Sequence, residues 1–408
     1  MKLVKIDSAN FRKLIARNSH FNKRVAKSVK NILDNVRLYG DEAVLRYTRK
    51  FDKIKMRPKD MRVTESEASG AYQDIKPEIV TTLKVVTDNI DKFYRKKIKK
   101  SWKIKGKEGV ILGGKVLPID SVGVYVPSGT VPLVSSVYMT VLPAKIAGVN
   151  RVVLASPPNK FGSIDPYILV MANLLKVDEI YKVGGAQAIG ALAYGTKTIP
   201  RVDKIVGPGN MYVTEAKRQV FGYCDIDMLA GPSEVVIIAN RYADAQYVKA
   251  DLMAQAEHAK GVAILVTPSK RLVKAVKNEV EKGFIILTKN MDEAVEVANL
   301  LAPEHLQIMV RNPRAVLKKI KNAGAIFVGP YTPVSVGDYV AGPSHVLPTG
   351  GTARFFSGLG IEDFVKRSHI ISYTKKALEE VRDAIEKLTT IEGLPKHMDS
   401  VNARFKQL

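Results

Sequence analysis

The 408-residue chain contains one cysteine, one tryptophan and six histidines, and each scarcity removes a class of chemistry. A lone thiol, Cys224, excludes an intramolecular disulfide and a thiolate-built metal centre. No apolar run approaches the roughly 18 residues of a membrane helix. The opening Met1-Lys2-Leu3-Val4-Lys5-Ile6-Asp7 lacks the uninterrupted apolar core of a secretion signal, so a cytoplasmic protein is expected. Neither the GxGxxG dinucleotide fingerprint nor a zinc-hydrolase HExxH helix occurs. Any imidazole site must draw on His20, His258, His305, His345, His369 and His397.

Acidic residues are also in short supply. Sixty-four Lys and Arg against 40 Asp and Glu leave a formal charge of +24. The densest basic stretch, Lys92 to Lys107, carries Phe93, Tyr94 and Trp102 among its lysines, which would suit stacking on nucleic-acid bases. Elsewhere the lysines are spread over every helical segment, and no zinc finger or RNA-recognition motif accompanies them. A solvated basic surface is the simpler account, and no specific nucleic-acid partner is expected. The rest is ordinary for a soluble protein of two or three domains, with 46% hydrophobic and 25% charged residues.

Hydrophobic spacing predicts two helices over residues 20–52 and another over 76–97, then short strands at 109–118 and 122–126. Strand-like runs at 152–154, 179–183 and 203–206 alternate with helical segments at 135–147, 164–175, 186–194 and 211–220. A second alternating block follows, with strands near 234–238, 262–267, 284–287 and 325–328 between helices. Alternation of this kind argues for parallel sheets wrapped by helices, here as tandem halves. The chain from about 360 reads as helical.

Two glycine turns stand where strands run into helices, Gly184-Gly185-Ala186-Gln187 and Gly207-Pro208-Gly209-Asn210. Such turns expose backbone N–H groups at a helix start, which suits a phosphate but serves equally for a sharp bend. Gln255 and His258, three apart, would share a helical face and could ligate zinc, or could be merely a polar face. Glu304-His305 offers a water-activating carboxylate beside a general base; adjacent residues reach one site only at a turn. Asp338 and His345 lie in a glycine- and proline-bearing stretch of the kind that carries sites. Cys224 could serve as a thiohemiacetal nucleophile, but Asp225 and Asp227 beside it would hold the thiol protonated, so a bystander is expected.

Taken together and in order, these pieces resemble the histidinol dehydrogenases. The likeness runs from Val36-Arg37-Leu38-Tyr39-Gly40-Asp41-Glu42 to about Arg404. It includes Tyr125-Val126-Pro127-Ser128-Gly129-Thr130, Ala230-Gly231-Pro232-Ser233-Glu234, Pro303-Glu304-His305-Leu306, Ser344-His345-Val346-Leu347-Pro348-Thr349 and Glu392-Gly393-Leu394. Ser128, Val134 and Lys396 depart from the commoner residues without touching an expected ligand, and the first twenty residues carry none of the likeness.

The resemblance implies an α/β fold: two Rossmann-like parallel-sheet domains, an N-terminal helical segment and a helical C-terminal tail. It implies an arm over 1–19, a zinc and catalytic body of 20–120 with 235–358, an NAD-binding body of 121–234 and a dimerisation tail of 359–408. One zinc per subunit would be held by Gln255, His258 and Asp338 of one chain and His397 of its partner in a homodimer. Tyr125, Gln187 and Asn210 would contact NAD. Ser233, His345 and the partner's Glu392 would join His305 and the metal ligands around histidinol, with Glu304 and His305 catalytic. The reaction would oxidise L-histidinol to L-histidine with two NAD and water. A related zinc- and NAD-dependent enzyme acting on another small alcohol is the nearest alternative, and a basic nucleic-acid-binding protein the alternative of another class.

Overall fold

A computed structural model of the chain describes residues 1–17, 22–128, 131–258 and 260–405. His20, and Gly129 and Thr130 of the Tyr125–Thr130 motif, lie outside the described residues. The chain divides into two compact units: residues 1–97 with 119–364, and residues 98–118 with 365–408.

Among the described residues fourteen strands are numbered in chain order: β1 Lys2–Leu3, β2 Trp102–Lys105, β3 Ile111–Pro118, β4 Ser121–Tyr125, β5 Arg151–Ser156, β6 Glu179–Lys182 and β7 Lys204–Val206. The second half brings β8 Asp225–Ile226, β9 Glu234–Ala239, β10 Val262–Thr267, β11 Phe284–Leu287, β12 His305–Met309, β13 Ala325–Val328 and β14 Val365–Ser372. The larger unit holds two parallel sheets, β6-β5-β4-β7-β8 and β1-β11-β10-β9-β12-β13. Leaving β1 aside, both follow one plan. The first strand is central, the next two step outward on one side, and the last two return to the other. The order reverses between β4 and β7 in the first sheet and between β9 and β12 in the second.

Burial explains the composition of these strands. Val122, Val124, Val152, Val153, Leu154, Ile205 and Val206 are fully enclosed, as are Val235 to Ile238 and Ile264 to Val266. Strands covered by helices on both faces need continuous apolar runs instead of alternation. The helix Lys23–Tyr39 lays Val25, Val29, Ile32, Leu33 and Val36 against the first sheet's core, as their helical spacing predicts. Pro77–Arg95 does the same with Leu83, Val86, Ile90 and Tyr94.

Two regions differ from the sequence reading. The opening residues, expected only as an arm, supply β1 as a sixth strand beside β11, and Phe11 and Leu14 enter the second core. The C-terminal region has one short 3-10 turn, Ile361–Phe364, and is α-helical only from Lys375 onward. Before it, β14 pairs antiparallel with β3, and β3 with β2, to make the small sheet of the second unit. Its sequence, Val365-Lys366-Arg367-Ser368-His369-Ile370-Ile371-Ser372, is exposed over most of its length and so lacks an apolar stripe.

Candidate active site

The carboxyl edge of the first sheet collects three of the expected residues. Tyr125 ends β4, buried, and its hydroxyl accepts the Gly185 N–H at 3.1 Å. Burial pushes the phenol up to about 12, so it stays protonated. Gln187 lies in the first turn of the helix Gly185–Tyr194, where its Oε1 is buried without a hydrogen-bond partner. Asn210 caps the helix Met211–Val220, its Oδ1 accepting the N–H groups of Tyr212 (2.9 Å) and Val213 (3.2 Å). The turn before it passes so close to β4 that a Cβ on Gly207, where φ is +113°, would lie 2.1 Å from the Tyr125 carbonyl oxygen. Only glycine fits there. Tyr125 and Gly207 flank the point where strand order reverses, the place where open α/β sheets bind nucleotides.

The expected catalytic pair occupies the opposite, amino edge of the second sheet. Glu304 precedes β12 and His305 is its first residue, so the pair sits at a turn and both side chains reach one place. His305 Nδ1 donates to the Glu234 carbonyl at 3.0 Å and lies 3.5 Å from Glu304 Oε2. Glu304 Oε2 in turn accepts the Glu234 N–H at 2.8 Å. With Nδ1 held, the remaining ring nitrogen, Nε2, is the atom available for proton transfer. It lies 3.3 Å from Asp338 Oδ1 without the alignment of a hydrogen bond. Burial opposes a charge on His305, but Glu304 and Asp338 outweigh it and raise its pKa. Glu304 is also raised, because burial outweighs the help of His305 and its hydrogen bonds, the Ser233 side chain included.

Asp338, Ser233 and His345 lie near the pair, and the other expected residues of this unit are placed as follows. Asp338 is carried by the short helix Val334–Tyr339, a turn of helix where the sequence showed no periodicity. The His345 Nε2 is buried without a hydrogen-bond partner, and burial lowers that imidazole's pKa. The helix Ala245–Ala256 ends short of His258, which follows in a turn, its N–H bonding back to the Gln255 carbonyl. Gln255 is buried at that helix end with its amide Nε2 unpartnered. A cavity of about 800 Å³ opens beside Asp338, walled by Phe327, Ser344, Phe355 and Phe356. The Phe327 ring packs 5.8 Å from that of His305.

Glu392 and His397 belong to the second unit, at the end of the helix Lys375–Ile391 and in Pro395–Asn402, and both are exposed. Cys224 is buried, and burial, reinforced by Asp225, pushes its thiol up to about 12, which makes it a poor nucleophile. Among the described residues no group of three or more His, Cys, Asp and Glu side chains is assembled for a metal.

Several residues that matter here escaped the sequence reading. Glu234 fixes both Glu304 and His305 through its main chain. A buried ion pair, Lys217–Asp227, clamps the Gly207 turn: Lys217 Nζ donates to the Gly207 carbonyl at 3.0 Å, and Asp227 Oδ2 accepts its N–H at 2.8 Å. One signal was available for Glu234, since an acid leading a fully apolar strand must be buried and therefore paired.

A family model described as histidinol dehydrogenase matches residues 15–405. The chain belongs to the histidinol dehydrogenase family. The histidinol dehydrogenase of Clostridium acetobutylicum is 45% identical over 97% of this chain and 96% of its own. That of Gloeobacter violaceus is 47% identical over 93% and 90%. The crystal structure of the Elizabethkingia anophelis histidinol dehydrogenase superposes with a TM-score of 0.93, at 34% identity over 99% of this chain and 98% of that one. The family's α/β architecture is thus that of this chain, and its activity is that of an NAD-dependent dehydrogenase.

Proposed function

We propose that this chain oxidises L-histidinol to L-histidine, with two NAD and one water consumed and two NADH and three protons released. The observation that carries the reading is the buried Glu304–His305 pair, oriented by the Glu234 main chain and left with His305 Nε2 free of any hydrogen bond. His305 Nε2 takes the alcohol proton as the first hydride leaves for NAD. Glu304, whose raised pKa suits a group that must exchange protons near neutrality, orients and deprotonates the water that attacks the aldehyde. His305 accepts the hydrate's proton as the second hydride departs. Ser233 and His345 stand close enough to this pair to hold the substrate's polar ends.

NAD is assigned to the body 121–234, at Tyr125, Gln187 and Asn210, because the switch point, two helix N-termini and the unpartnered Gln187 amide converge there. Zinc is assigned to the body of 20–120 with 235–358. Gln255, buried at its helix end, and His258 in the turn after it lie together, and a Gln255 amide oxygen, the His258 imidazole and the Asp338 carboxylate would be donors of the kind zinc takes. The metal would supply a cationic anchor that orients the substrate.

Glu392 and His397 would come from a partner chain through the tail 359–408, completing a site shared across a homodimer. Their exposure in the second unit supports this reading. No helix among the described residues is long and apolar enough to cross a membrane, and the biosynthetic reading fits a cytoplasmic enzyme. The test is NADH formed per histidinol consumed, before and after chelation. Two NADH, with activity lost to a chelator and restored by zinc, support the proposal. One NADH with the aldehyde accumulating would refute it.

A further inference from the structure

The Glu304–His305 pair hangs on one residue, and that residue hangs on another far from it in sequence. Glu234 gives its N–H to Glu304 and its carbonyl to His305. Its side chain is almost fully buried and cannot remain charged there unaided. Oε1 accepts the Gly350 N–H, and Oε2 accepts from the Nε (3.0 Å) and Nη2 atoms of Arg17. The Arg17 side chain is itself only 11% exposed.

Arg17 does more than neutralise. Its Nη2 also donates to the Leu301 carbonyl at 2.8 Å and its Nη1 to the Leu14 carbonyl at 2.7 Å. Leu301 ends the helix Met291–Leu301. The next residue, Ala302, holds a left-handed conformation with φ +44°, rare outside glycine, and Pro303 and Glu304 follow. One planar cation therefore ties the end of the helix Ala9–Ile15, the strained turn that delivers Glu304, and the carboxylate of the residue that orients both catalytic side chains. An ammonium is a point charge and cannot span the three acceptors with the same fixed fork.

We propose that Arg17 is a positioning residue for the Glu304–His305 pair, acting through Glu234 and the Leu301–Glu304 turn. Without it, Glu234 is a buried carboxylate with no counter-charge beside Glu304. Relief of that repulsion moves the main chain to which both catalytic groups are bonded. Displacements of about 1 Å in such groups cost on the order of 100-fold in rate.

The inference rests on the assignment of the pair as catalytic, and its test separates the two. In the full-length enzyme, R17A should lower kcat by roughly 30- to 100-fold and leave KM for histidinol and NAD within about threefold. Guanidinium at millimolar concentration should recover several-fold of the lost kcat, whereas urea at the same concentration should not. R17K should fold and still lose about tenfold. A crystal structure of R17A should show the pair displaced by about 1 Å or more, a result that does not depend on which substrate is turned over. Parental kcat in folded R17A, or in R17K should R17A not fold, would overturn the proposal. So would an undisplaced pair. A parent chain that makes no NADH from histidinol strikes the function instead, before any variant is examined.

Discussion

The two parallel sheets of the larger unit have the same strand order and use opposite ends of it. In the first, the glycine turns, Tyr125 and Gln187 gather at the carboxyl edge, where the order reverses between β4 and β7. In the second, Glu234, Glu304 and His305 gather at the amino edge of the corresponding pair, β9 and β12. The difference follows from what each site needs. A dinucleotide phosphate is met by helix N-termini, which parallel α/β units present at their carboxyl ends. Proton transfer needs side chains whose main chain is immobile, and strand starts braced by a buried acid provide it. The link 227–233 joins the carboxyl edge of one sheet to the amino edge of the other. Even fully extended it spans at most about 25 Å, which bounds the separation of the two edges where the link joins them.

This contrast yields variants that should separate the two edges. The largest effect is expected at the second sheet: His305→Ala should lower kcat by about 10³-fold or more, since it removes the group assigned to take the alcohol proton. Steady-state kinetics check this, and a loss under tenfold would move the base elsewhere. Glu304→Gln should retain the first oxidation better than the second, so aldehyde accumulates where the parent releases none; product analysis by chromatography decides it.

At the first sheet the expected damage is to folding and cofactor affinity. Lys217→Met leaves the Asp227 carboxylate unpaired in the interior, at a cost of about 3–5 kcal/mol, measurable by chemical denaturation. Its released Gly207 turn should raise KM for NAD more than KM for histidinol. Equal rises in both would deny the turn a specific role.

Asp52 gives a smaller, pH-dependent effect. Burial lifts its carboxyl to about 6, and its Oδ2 has no hydrogen-bond partner. The folded chain therefore binds a proton more tightly than the unfolded one, and stability from this group falls as pH rises from about 4 through about 6. Asp52→Asn should raise the melting temperature at pH 8 and give a smaller advantage near pH 4. An advantage that grows toward acid pH would contradict the sign. Cys224→Ala should change turnover least, by no more than a few fold, because burial keeps the thiol protonated.

Most of the two sheets was legible because buried parallel strands are continuous apolar runs; β4, β5, β9 and β10 needed nothing more. Short or polar strands gave no such signal. β1 and β8 have two residues each, and β14 is exposed on both faces. The histidine and carboxylate positions were visible as motifs, and the pairing of Glu304 with His305 followed from their adjacency. Their support was not visible. Arg17 and Glu234 are 217 residues apart, and Lys217 on a helix reads as a solvated lysine until tertiary structure encloses it. Local periodicity carries no information about such contacts.

The division of labour between the edges is tested most directly by titrating NADH fluorescence into two inactive or weakened variants. His305→Ala should bind NADH with the parent's Kd, within about twofold, although it turns over nothing. Gln187→Ala should bind at least about tenfold more weakly, with the Glu304–His305 pair intact. The reverse pattern, with NADH affinity lost in His305→Ala and kept in Gln187→Ala, would place the cofactor at the second sheet and contradict the account.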